Sequence, residues 1–260
     1  MNDDRFIEIP FIPADDVSLV LIDSRIPNSV KKELMAHGIK WIDVPVLDTL
    51  YPSISCHPDI QCHPLGGGKI VVAPNASESL KNQLIQHDFE ILIGNTILGS
   101  NYPENIAYNV ARIGNLAFHN LKYTDPLLKR ELEKQGVRLI HVKQGYAKCS
   151  VYIIDEHSAL TSDPGLAKVM RKSGIDVLEI RPGYISLPGL NYGFIGGAGG
   201  LINAYTAAFI GRLKHHPDFE AIREFIRSKR KRIKSFGEIC LTDVGSIIPI
   251  KEKSSEGTKT

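Results

Sequence analysis

The chain has 260 residues, of which 43% are hydrophobic, which is enough for one large domain or two small ones. Its 31 basic and 29 acidic residues give a formal net charge of +2, so the charge balance gives no reason to expect a nucleic acid or an acidic membrane as partner. No apolar run approaches the length of a membrane span, and the acidic start MNDDRFIEIP is unlike a signal peptide, so we expect a cytoplasmic protein without membrane contact.

The first predicted unit of secondary structure occupies residues 17–45. The apolar run LVLID predicts a strand, SVKKELMAHG a helix that ends near Gly38, and IKWIDV a returning strand. The same order of strand, helix and strand recurs along the chain, and such a repeat predicts a fold more reliably than local propensity does. The predicted units are residues 17–45, 56–94, 107–142, 145–180 and 190–249.

The segment SISCHPDIQCHP, which opens the second unit, is the chemically richest stretch of the sequence. An extended Cys56–His63 would place its polar side chains on one face by alternation, namely His57, Asp59, Gln61 and His63. The two histidines would then lie about 20 Å apart, too far to share one metal ion with the carboxylate. We therefore expect no metal site, with His57 and Asp59 alone as a minor alternative.

Three consecutive glycines, Gly66, Gly67 and Gly68, directly precede the predicted strand KIVV. A phosphate-binding loop would instead follow a strand and open a helix. The position of these glycines therefore predicts a hairpin turn between two strands.

The unit at residues 145–180 shows its elements most clearly. Tyr146 to Ile154 is rich in β-branched and aromatic residues and predicts one half-buried strand. Asp163 suits the cap of a following helix, with Pro164 in its first turn and Gly174 at its end. The run IDVLEI predicts the returning strand. Asp163 is also a candidate for ligand binding, although capping is the favoured interpretation.

A glycine-rich segment, GLNYGFIGGAGG, lies at residues 189–200. It lacks the third glycine of a dinucleotide-binding loop, so we interpret its glycines as points where two backbones or a ligand approach closely. A long helix is predicted to follow, from Tyr205 through Leu213, and then a second helix over Ala221–Arg232. The basic run RSKRKRIK at residues 227–234 is interpreted as a solvated face of that second helix.

The five repeated units, together with the strings HPDI, VKQGYAKCS, TSDPG and YGFIGGAGG, resemble the pentein superfamily and an uncharacterised bacterial family in its neighbourhood. The superfamily includes arginine deiminases, agmatine deiminases, amidinotransferases and dimethylarginine hydrolases, which modify guanidino groups, and a noncatalytic ribosome anti-association factor. The resemblance implies an α/β fold, the five-bladed pentein propeller of ββαβ repeats with pseudo-fivefold symmetry. It implies one domain over residues 1–250, followed by a disordered tail at residues 251–260.

In the enzymes of the superfamily, carboxylates hold the guanidinium, a histidine transfers protons and a cysteine attacks the central carbon. The sequence His57-Pro58-Asp59 approximates their carboxylate motif, so the resemblance implies that Asp59 binds a cationic substrate. At the other expected positions this chain carries different residues, namely Tyr108 and Asn109 for the second carboxylate, Ala147–Cys149 for the histidine, and Gly199 and Gly200 for the cysteine. The standard catalytic set is therefore absent.

Two functional interpretations remain, and the sequence leaves open whether the chain is an enzyme. In the first it is a hydrolase or transferase for a guanidino or amino-acid-like compound, with a rearranged catalytic set. Cys149 would be the nucleophile, with its pKa lowered by Lys148 or Lys143, while His57 would be the acid or base and Asp59 the carboxylate that holds the substrate.

In the second interpretation the chain is a noncatalytic protein that binds a small polar ligand or docks on a partner, since free cysteines are usually buried and inert. The candidate ligand-binding residues are Asp59, Asn109, Gln144, Lys148, Asp163, Asn191 and Tyr192. Neither interpretation requires a cofactor, and a homodimer remains open.

Overall fold

The structure is a computed structural model that describes residues 4–254. The strands are β1 (Asp4–Phe6), β2 (Val17–Asp23), β3 (Lys40–Val44), β4 (Cys62–Gly66), β5 (Lys69–Val72), β6 (Glu90–Ile93), β7 (Ala111–Ile113), β8 (Leu116–His119), β9 (Arg138–His141), β10 (Val151–Asp155), β11 (Ser158–Thr161), β12 (Asp176–Glu179), β13 (Gly199–Asn203), β14 (Thr206–Arg212), β15 (Arg232–Cys240) and β16 (Ile248–Lys253). The helices are α1 (Asn28–Ala36), α2 (Pro58–Gln61), α3 (Glu78–Gln86), α4 (Pro126–Lys134), α5 (Ala147–Ser150), α6 (Pro164–Lys172) and α7 (Phe219–Ser228).

The strands form five sheets of similar topology. In four of them two antiparallel strands are followed by a helix and by a third strand that runs parallel to the second: β4-β5-β6, β7-β8-β9, β10-β11-β12 and β13-β14-β15. In the fifth sheet β2 and β3 are parallel, and the C-terminal strand β16 supplies the antiparallel strand, with β1 at the outer edge. This is the mixed α/β fold class that the sequence predicts.

The first strands of successive sheets contact one another, because β7 contacts β10, β10 contacts β13 and β13 contacts β16. Buried apolar residues of the sheets and of the helices that cover them form the core, as Val72 and Leu84 do in the second unit. The turns that precede these first strands are therefore brought close together. None of the helices within residues 4–254 is both long and apolar enough to cross a membrane.

Helix α6 begins and ends as the sequence predicts. The side chain of Asp163 accepts a hydrogen bond of 2.9 Å from the backbone N–H of Leu166, and Pro164 occupies the first turn. Gly174 follows the helix with a φ of +89°, a conformation that glycine adopts without steric cost. Leu166 and Met170 are buried against the sheet, so the helix is fixed both by its ends and by its apolar face.

The prediction of a single strand from Tyr146 to Ile154 is wrong for the first half of that segment. Residues 147–150 form the short helix α5, and the strand β10 begins only at Val151. The helical turn forms because the side-chain Oδ1 of Asn109 accepts the backbone N–H groups of Lys148, at 2.8 Å, and of Cys149, at 3.2 Å. Local β propensity is therefore overruled by a contact with a distant residue.

The extended conformation expected for Cys56–His63 is also wrong. Residues 58–61 form the short helix α2, with Pro58 in its first turn, where its fixed φ is suited. The backbone N–H of Asp59 donates to the carbonyl of Gly245 at 3.3 Å, which ties the turn to the C-terminal part of the chain. The two faces expected from alternation do not exist, so the predicted spacing of His57, Asp59 and His63 does not apply.

The last unit differs most from its prediction. Residues 199–212 form the antiparallel hairpin β13–β14 in place of a long helix, and every residue of β14 from Thr206 to Gly211 is buried. A strand buried on both faces is a continuous apolar run, which sequence periodicity does not distinguish from a buried helix. The second predicted helix ends at Ser228, and Arg232–Lys234 belong to β15. The basic run at residues 227–234 is therefore shared between a helix, a turn and a strand, contrary to the expected helix face.

The predicted hairpin at Gly66–Gly68 is confirmed, since these residues connect the antiparallel strands β4 and β5 with positive φ at all three glycines. At the C terminus, β16 extends to Lys253 because its residues 251–253 pair with Phe6, Arg5 and Asp4 of β1. Three residues of the tail predicted at 251–260 are therefore in a strand. Residues 255–260 lie outside the described part of the chain.

Candidate functional site

Four turns that precede first strands bring together Asp59, Asn109, Cys149 and Ser246. The turns lead into β4, β7, β10 and β16 respectively, so each residue comes from a different sheet. All four side chains are buried, with relative exposures between 0% and 3%. Because buried polar groups require hydrogen-bond partners, the four residues and their neighbours form one connected network.

The thiol of Cys149 lies at the centre of this network. Its Sγ lies 3.2 Å from Oδ1 and 3.3 Å from Oδ2 of Asp59, and Nδ2 of Asn109 donates to it at 3.1 Å. Burial, followed by the negative charges of Asp59 and Asp243, raises the pKa of Cys149 well above its usual value. The group is therefore a neutral thiol that donates to Asp59, contrary to the lowered pKa expected from Lys148 or Lys143.

The ammonium of Lys148 belongs to the same network and is connected to Asp59 through Ser246. Its Nζ donates to Oγ of Ser246 at 2.8 Å and to the carbonyl of Gly196 at 3.2 Å. Ser246 Oγ in turn lies 2.7 Å from Oδ2 of Asp59, to which it donates. Burial lowers the pKa of Lys148, and the charge of Asp59 opposes that effect. A chain of polar contacts thus runs from Lys148 through Ser246 and Asp59 to Cys149.

His57 and Asp243 form a second pair beside the thiol. Nδ1 of His57 lies 3.9 Å from Oδ1 of Asp243, too far for a hydrogen bond but close enough for attraction when the imidazole is protonated. The carboxylate accepts the backbone N–H groups of Phe194 at 2.9 Å and Gly245 at 3.0 Å. Burial raises the pKa of Asp243, while His57 opposes that effect. Nδ1 of His57 is buried and has no hydrogen-bond partner within residues 4–254.

Two glycines permit the close packing around this pair. A Cβ atom on Gly197 would lie 1.9 Å from Oδ1 of Asp243, and one on Gly245 would lie 2.3 Å from Cβ of His57. Neither distance is compatible with a side chain at the glycine. The interpretation of Gly197, within the glycine-rich segment, as a point of close approach therefore fits the structure, and the group that approaches is Asp243.

A cavity of about 280 Å³ adjoins the network. His57, Cys149 and Asp243 form its polar end. Tyr146 and Phe194 contribute aromatic walls, with their ring centroids 6.4 Å apart. A cavity that is mostly apolar, with a few converging polar groups, is the usual form of a small-molecule site.

The structure brings together most of the site residues that the sequence predicts. Asn191 and Tyr192 line the cavity with His57 and Cys149, while Asp59, Asn109 and Lys148 lie in the network. Gln144 and Asp163 do not line the cavity. Nε2 of Gln144 donates to Oδ2 of Asp163 at 2.9 Å, and the other oxygen of Asp163 caps helix α6.

Sequence reasoning missed Ser246 and Asp243, which lie in the segment TDVGSIIPI. The pattern of this segment, small polar residues directly before an apolar strand, is the pattern of AKCSVYI around Cys149. The predicted fifth unit treated residues 190–249 as one block. The strand that follows Ser246 instead completes the first sheet. The turn that contains Asp243 and Ser246 therefore does not belong to the fifth unit, where the prediction placed it.

The network also has the composition of a metal site. One ligand atom each from His57, Asp59 and Cys149 lies within 4.8 Å of the others. A nitrogen, an oxygen and a sulfur form a set that a borderline-soft divalent cation such as Zn²⁺ accepts. The two-residue alternative from the sequence is thus extended by Cys149, which only the fold places beside the other two.

Solved structures of other proteins share the fold of this chain. The chain is similar to the amidinotransferase SxtG of the saxitoxin biosynthetic pathway of Microseira wollei, with 13% identity over 89% of this chain and 91% of that chain and a TM-score of 0.57. It is similar to an agmatine deiminase of C. jejuni with substrate bound, with 10% identity over 98% of both chains and a TM-score of 0.57. It is also similar to the inosamine-phosphate amidinotransferase StrB1 of Streptomyces griseus, with 10% identity over 96% of this chain and 97% of that chain and a TM-score of 0.56. At these identities the likeness establishes the fold.

No curated protein matches the chain at the level of sequence. A family model, described as a family of unknown function, matches residues 21–248, which include all five sheets in whole or in part and every residue of the network. The chain therefore belongs to the family of unknown function DUF6873.

Proposed function

We propose that the protein is an enzyme that acts on a small cationic compound with a guanidino group, as a hydrolase or an amidinotransferase, with Cys149 as the nucleophile. The observation that carries the proposal is the position of Cys149. Its Sγ lies 3.2 Å from Asp59 and also lines the cavity that contains His57. A nucleophile, a carboxylate and a proton-transfer group within reach of one cavity are what attack on a guanidinium carbon requires.

The charges of the site favour a cation. Asp59 and Asp243 provide two carboxylates, and Lys148, which is bound to Ser246, provides one ammonium. A guanidinium brings a positive charge and a planar set of N–H donors that carboxylates accept in a bidentate manner. The aromatic rings of Tyr146 and Phe194 offer faces against which such a planar cation stacks.

The raised pKa of Cys149 gives the bound cation a chemical role. Burial, followed by the negative charges of Asp59 and Asp243, keeps the thiol neutral. A cation placed beside the two carboxylates offsets their part of this effect and lowers the pKa of the thiol. The thiol proton passes to His57 as Sγ adds to the guanidinium carbon. His57 then returns that proton to the departing amine, and the amidino group remains on sulfur. Water or an acceptor amine, deprotonated by His57, attacks the same carbon, and the thiolate leaves and recovers its proton.

The comparisons support the substrate class. The similar structures are named as amidinotransferases and an agmatine deiminase, and they share the fold across most of the chain. A noncatalytic protein that binds the same kind of cation is the second candidate. The observation in its favour is the 3% exposure of Cys149 together with its raised pKa, since buried neutral thiols are usually inert.

Thermal melting and product formation, measured on the same variants, test the proposal. Arginine, agmatine and simple guanidines are added in turn, and ammonia, urea and amidino transfer to an amine are assayed. A ligand at one hundred times its Kd adds about 2.7 kcal/mol of stability, and we expect this rise to disappear in Asp59→Asn. Cys149→Ser is expected to retain the rise and to form no product.

Cys240→Ser serves as the matched control, because Cys240 is exposed and lies outside the cavity. It is expected to bind and turn over like the unsubstituted protein. Binding without product in the unsubstituted protein would replace the enzyme with the noncatalytic candidate. No melting shift with any guanidine would overturn the substrate class.

A further inference from the structure

A second concave surface lies on the last sheet, away from Cys149. It is a groove of about 580 Å³ between helix α7 and the edge strand β15, and it shares no lining residue with the cavity of the candidate site. Phe219 and Ile233, both half-buried, provide its apolar surface. We refer to it below as the α7–β15 groove.

The lining of the α7–β15 groove is strongly basic. It includes six cationic side chains, namely Arg212, Lys214, Arg223, Arg227, Lys231 and Arg232. Within residues 4–254, Glu238 is its one acidic lining residue, and it is already paired, because Nε of Arg212 donates to it at 2.7 Å. This concentration of charge contrasts with the formal net charge of +2 for the whole chain.

Four of these cations form no salt bridge within the described part of the chain, namely Lys214, Arg227, Lys231 and Arg232, although the negative charge of Asp155 acts on Lys231. Two of the four are held in place by neutral groups. Nζ of Lys231 donates to the carbonyl of Ala204, and Nε of Arg232 donates to Oγ1 of Thr206 at 3.0 Å. Since a guanidinium carries five N–H donors, Arg232 keeps donors for another partner. Converging like charges repel one another, so a groove of this composition gains most from a ligand with several negative charges.

We propose that the α7–β15 groove binds a small phosphorylated ligand that also carries an apolar ring, the chemical class of the nucleoside polyphosphates. Guanidinium groups match phosphate oxygens in a bidentate manner. The volume of the groove falls within the range of about 300–1,000 Å³ that is typical of small-molecule sites. Phe219 and Ile233 provide the apolar surface on which a base ring packs. This site is independent of the chemistry proposed for Cys149.

Binding of ATP, AMP, adenosine and pyrophosphate, measured by calorimetry and thermal melting at about 0.15 M salt, tests the proposal. ATP is expected to bind more tightly than AMP, because it carries more phosphates, and more tightly than pyrophosphate, because it adds the ring. Adenosine is expected not to bind. Arg227→Gln removes an exposed, unpaired cation of the groove and is expected to weaken ATP binding about tenfold or more, the loss of one charge-assisted contact.

Arg130→Gln is the matched control, since Arg130 is an exposed arginine on helix α4 of a different sheet. It is expected to leave the Kd for ATP unchanged, as is Cys149→Ser. Equal weakening by Arg130→Gln would overturn the site in favour of general charge attraction. ATP binding no tighter than pyrophosphate binding would overturn the role of the ring. If a long single-stranded DNA binds more tightly than ATP, the proposal that the groove binds a small ligand is overturned.

Discussion

Sγ of Cys149 lies 3.2 Å from Oδ1 of Asp59, although 90 residues separate the two in the chain. The contact arises because helices α5 and α2 occupy equivalent places, each directly before the first strand of its sheet. Burial holds the thiol in its neutral form, the negative charge of Asp59 adds to this effect, and both groups adjoin His57. The charge of Asp59 therefore contributes to the reactivity of the thiol, and variants at either position can measure this contribution.

Asp59→Asn is expected to lower the pKa of Cys149, because it removes a negative charge that raises it while keeping the shape of the side chain. Alkylation of Cys149 by iodoacetamide should then become half-maximal at a lower pH than in the unsubstituted protein. Mass spectrometry of the Cys149 peptide over a pH series measures this. The exposed Asp48→Asn is the control and should leave the profile unchanged. An unchanged profile in Asp59→Asn would show that its charge does not act on the thiol.

Ser246→Ala is expected to destabilise the protein by about 1–3 kcal/mol, because Lys148 loses an acceptor and Asp59 loses a donor inside the fold. The backbone cost of the positive φ at this position, +79°, is similar for serine and alanine, so the change isolates the hydroxyl. Denaturant unfolding at neutral pH measures the loss. Ser228→Ala, at an exposed hydroxyl, should change stability by much less. Equal effects of the two substitutions would argue against the polar chain through Ser246.

Gly197→Ala is expected to disrupt the pair of Asp243 and His57, because the new Cβ would lie 1.9 Å from Oδ1 of Asp243. Gly136→Ala is the comparison. Gly136 has a φ of +71° and open space around its Cα, so its substitution costs about 1–2 kcal/mol of backbone strain alone. We expect Gly197→Ala to lose more stability than Gly136→Ala, and to lose any activity at Cys149. A smaller loss would show that Asp243 moves aside freely.

Stability is expected to fall in mild acid because of buried neutral histidines. Burial lowers the pKa of His119 to about 4 and that of His63 to about 3. In the unfolded chain a histidine takes up its proton near pH 6.5. Below that pH the unfolded state therefore binds more protons than the folded state, and acid favours unfolding. The stabilising contribution is thus complete above about pH 6.5 and is lost as the pH falls from there toward 4, by on the order of 3 kcal/mol for His119.

Urea unfolding between pH 7 and pH 4 measures the slope of the free energy of unfolding against pH. His119→Gln should reduce this slope. His119 has hydrogen bonds at both ring nitrogens, to Thr124 at 2.6 Å and to the carbonyl of Gly145 at 2.8 Å, so the substitution also lowers stability at neutral pH. The slope and not the absolute stability is therefore the readout. His157→Gln, at an exposed histidine, should leave the slope as it is.

The sequence by itself predicts the elements whose ends are determined locally. Helix α6 is an example, since Asp163, Pro164 and Gly174 act on neighbouring residues and need no distant contact. The hairpin at Gly66–Gly68 is another. The recurrence of such units predicted an α/β fold of five repeats, and the resemblance to the pentein superfamily implied its propeller form. Local patterns failed where the backbone is held from elsewhere, as in the turn of α5 bound to Asn109, or where burial on both faces removes the periodicity, as in β14.

Individual chemical groups of the site could also be read from the sequence, and Cys149, His57 and Asp59 were among them. Their arrangement was decided by the tertiary structure alone. Asp59 and Ser246 are 187 residues apart, and they meet because the C-terminal strand β16 completes the first sheet and brings its preceding turn beside α2. A sequence shows which side chains are present and which local backbone conformations they favour. Distances between turns of different sheets follow from the packing of those sheets, and the raised pKa of Cys149 follows from the burial that this packing creates.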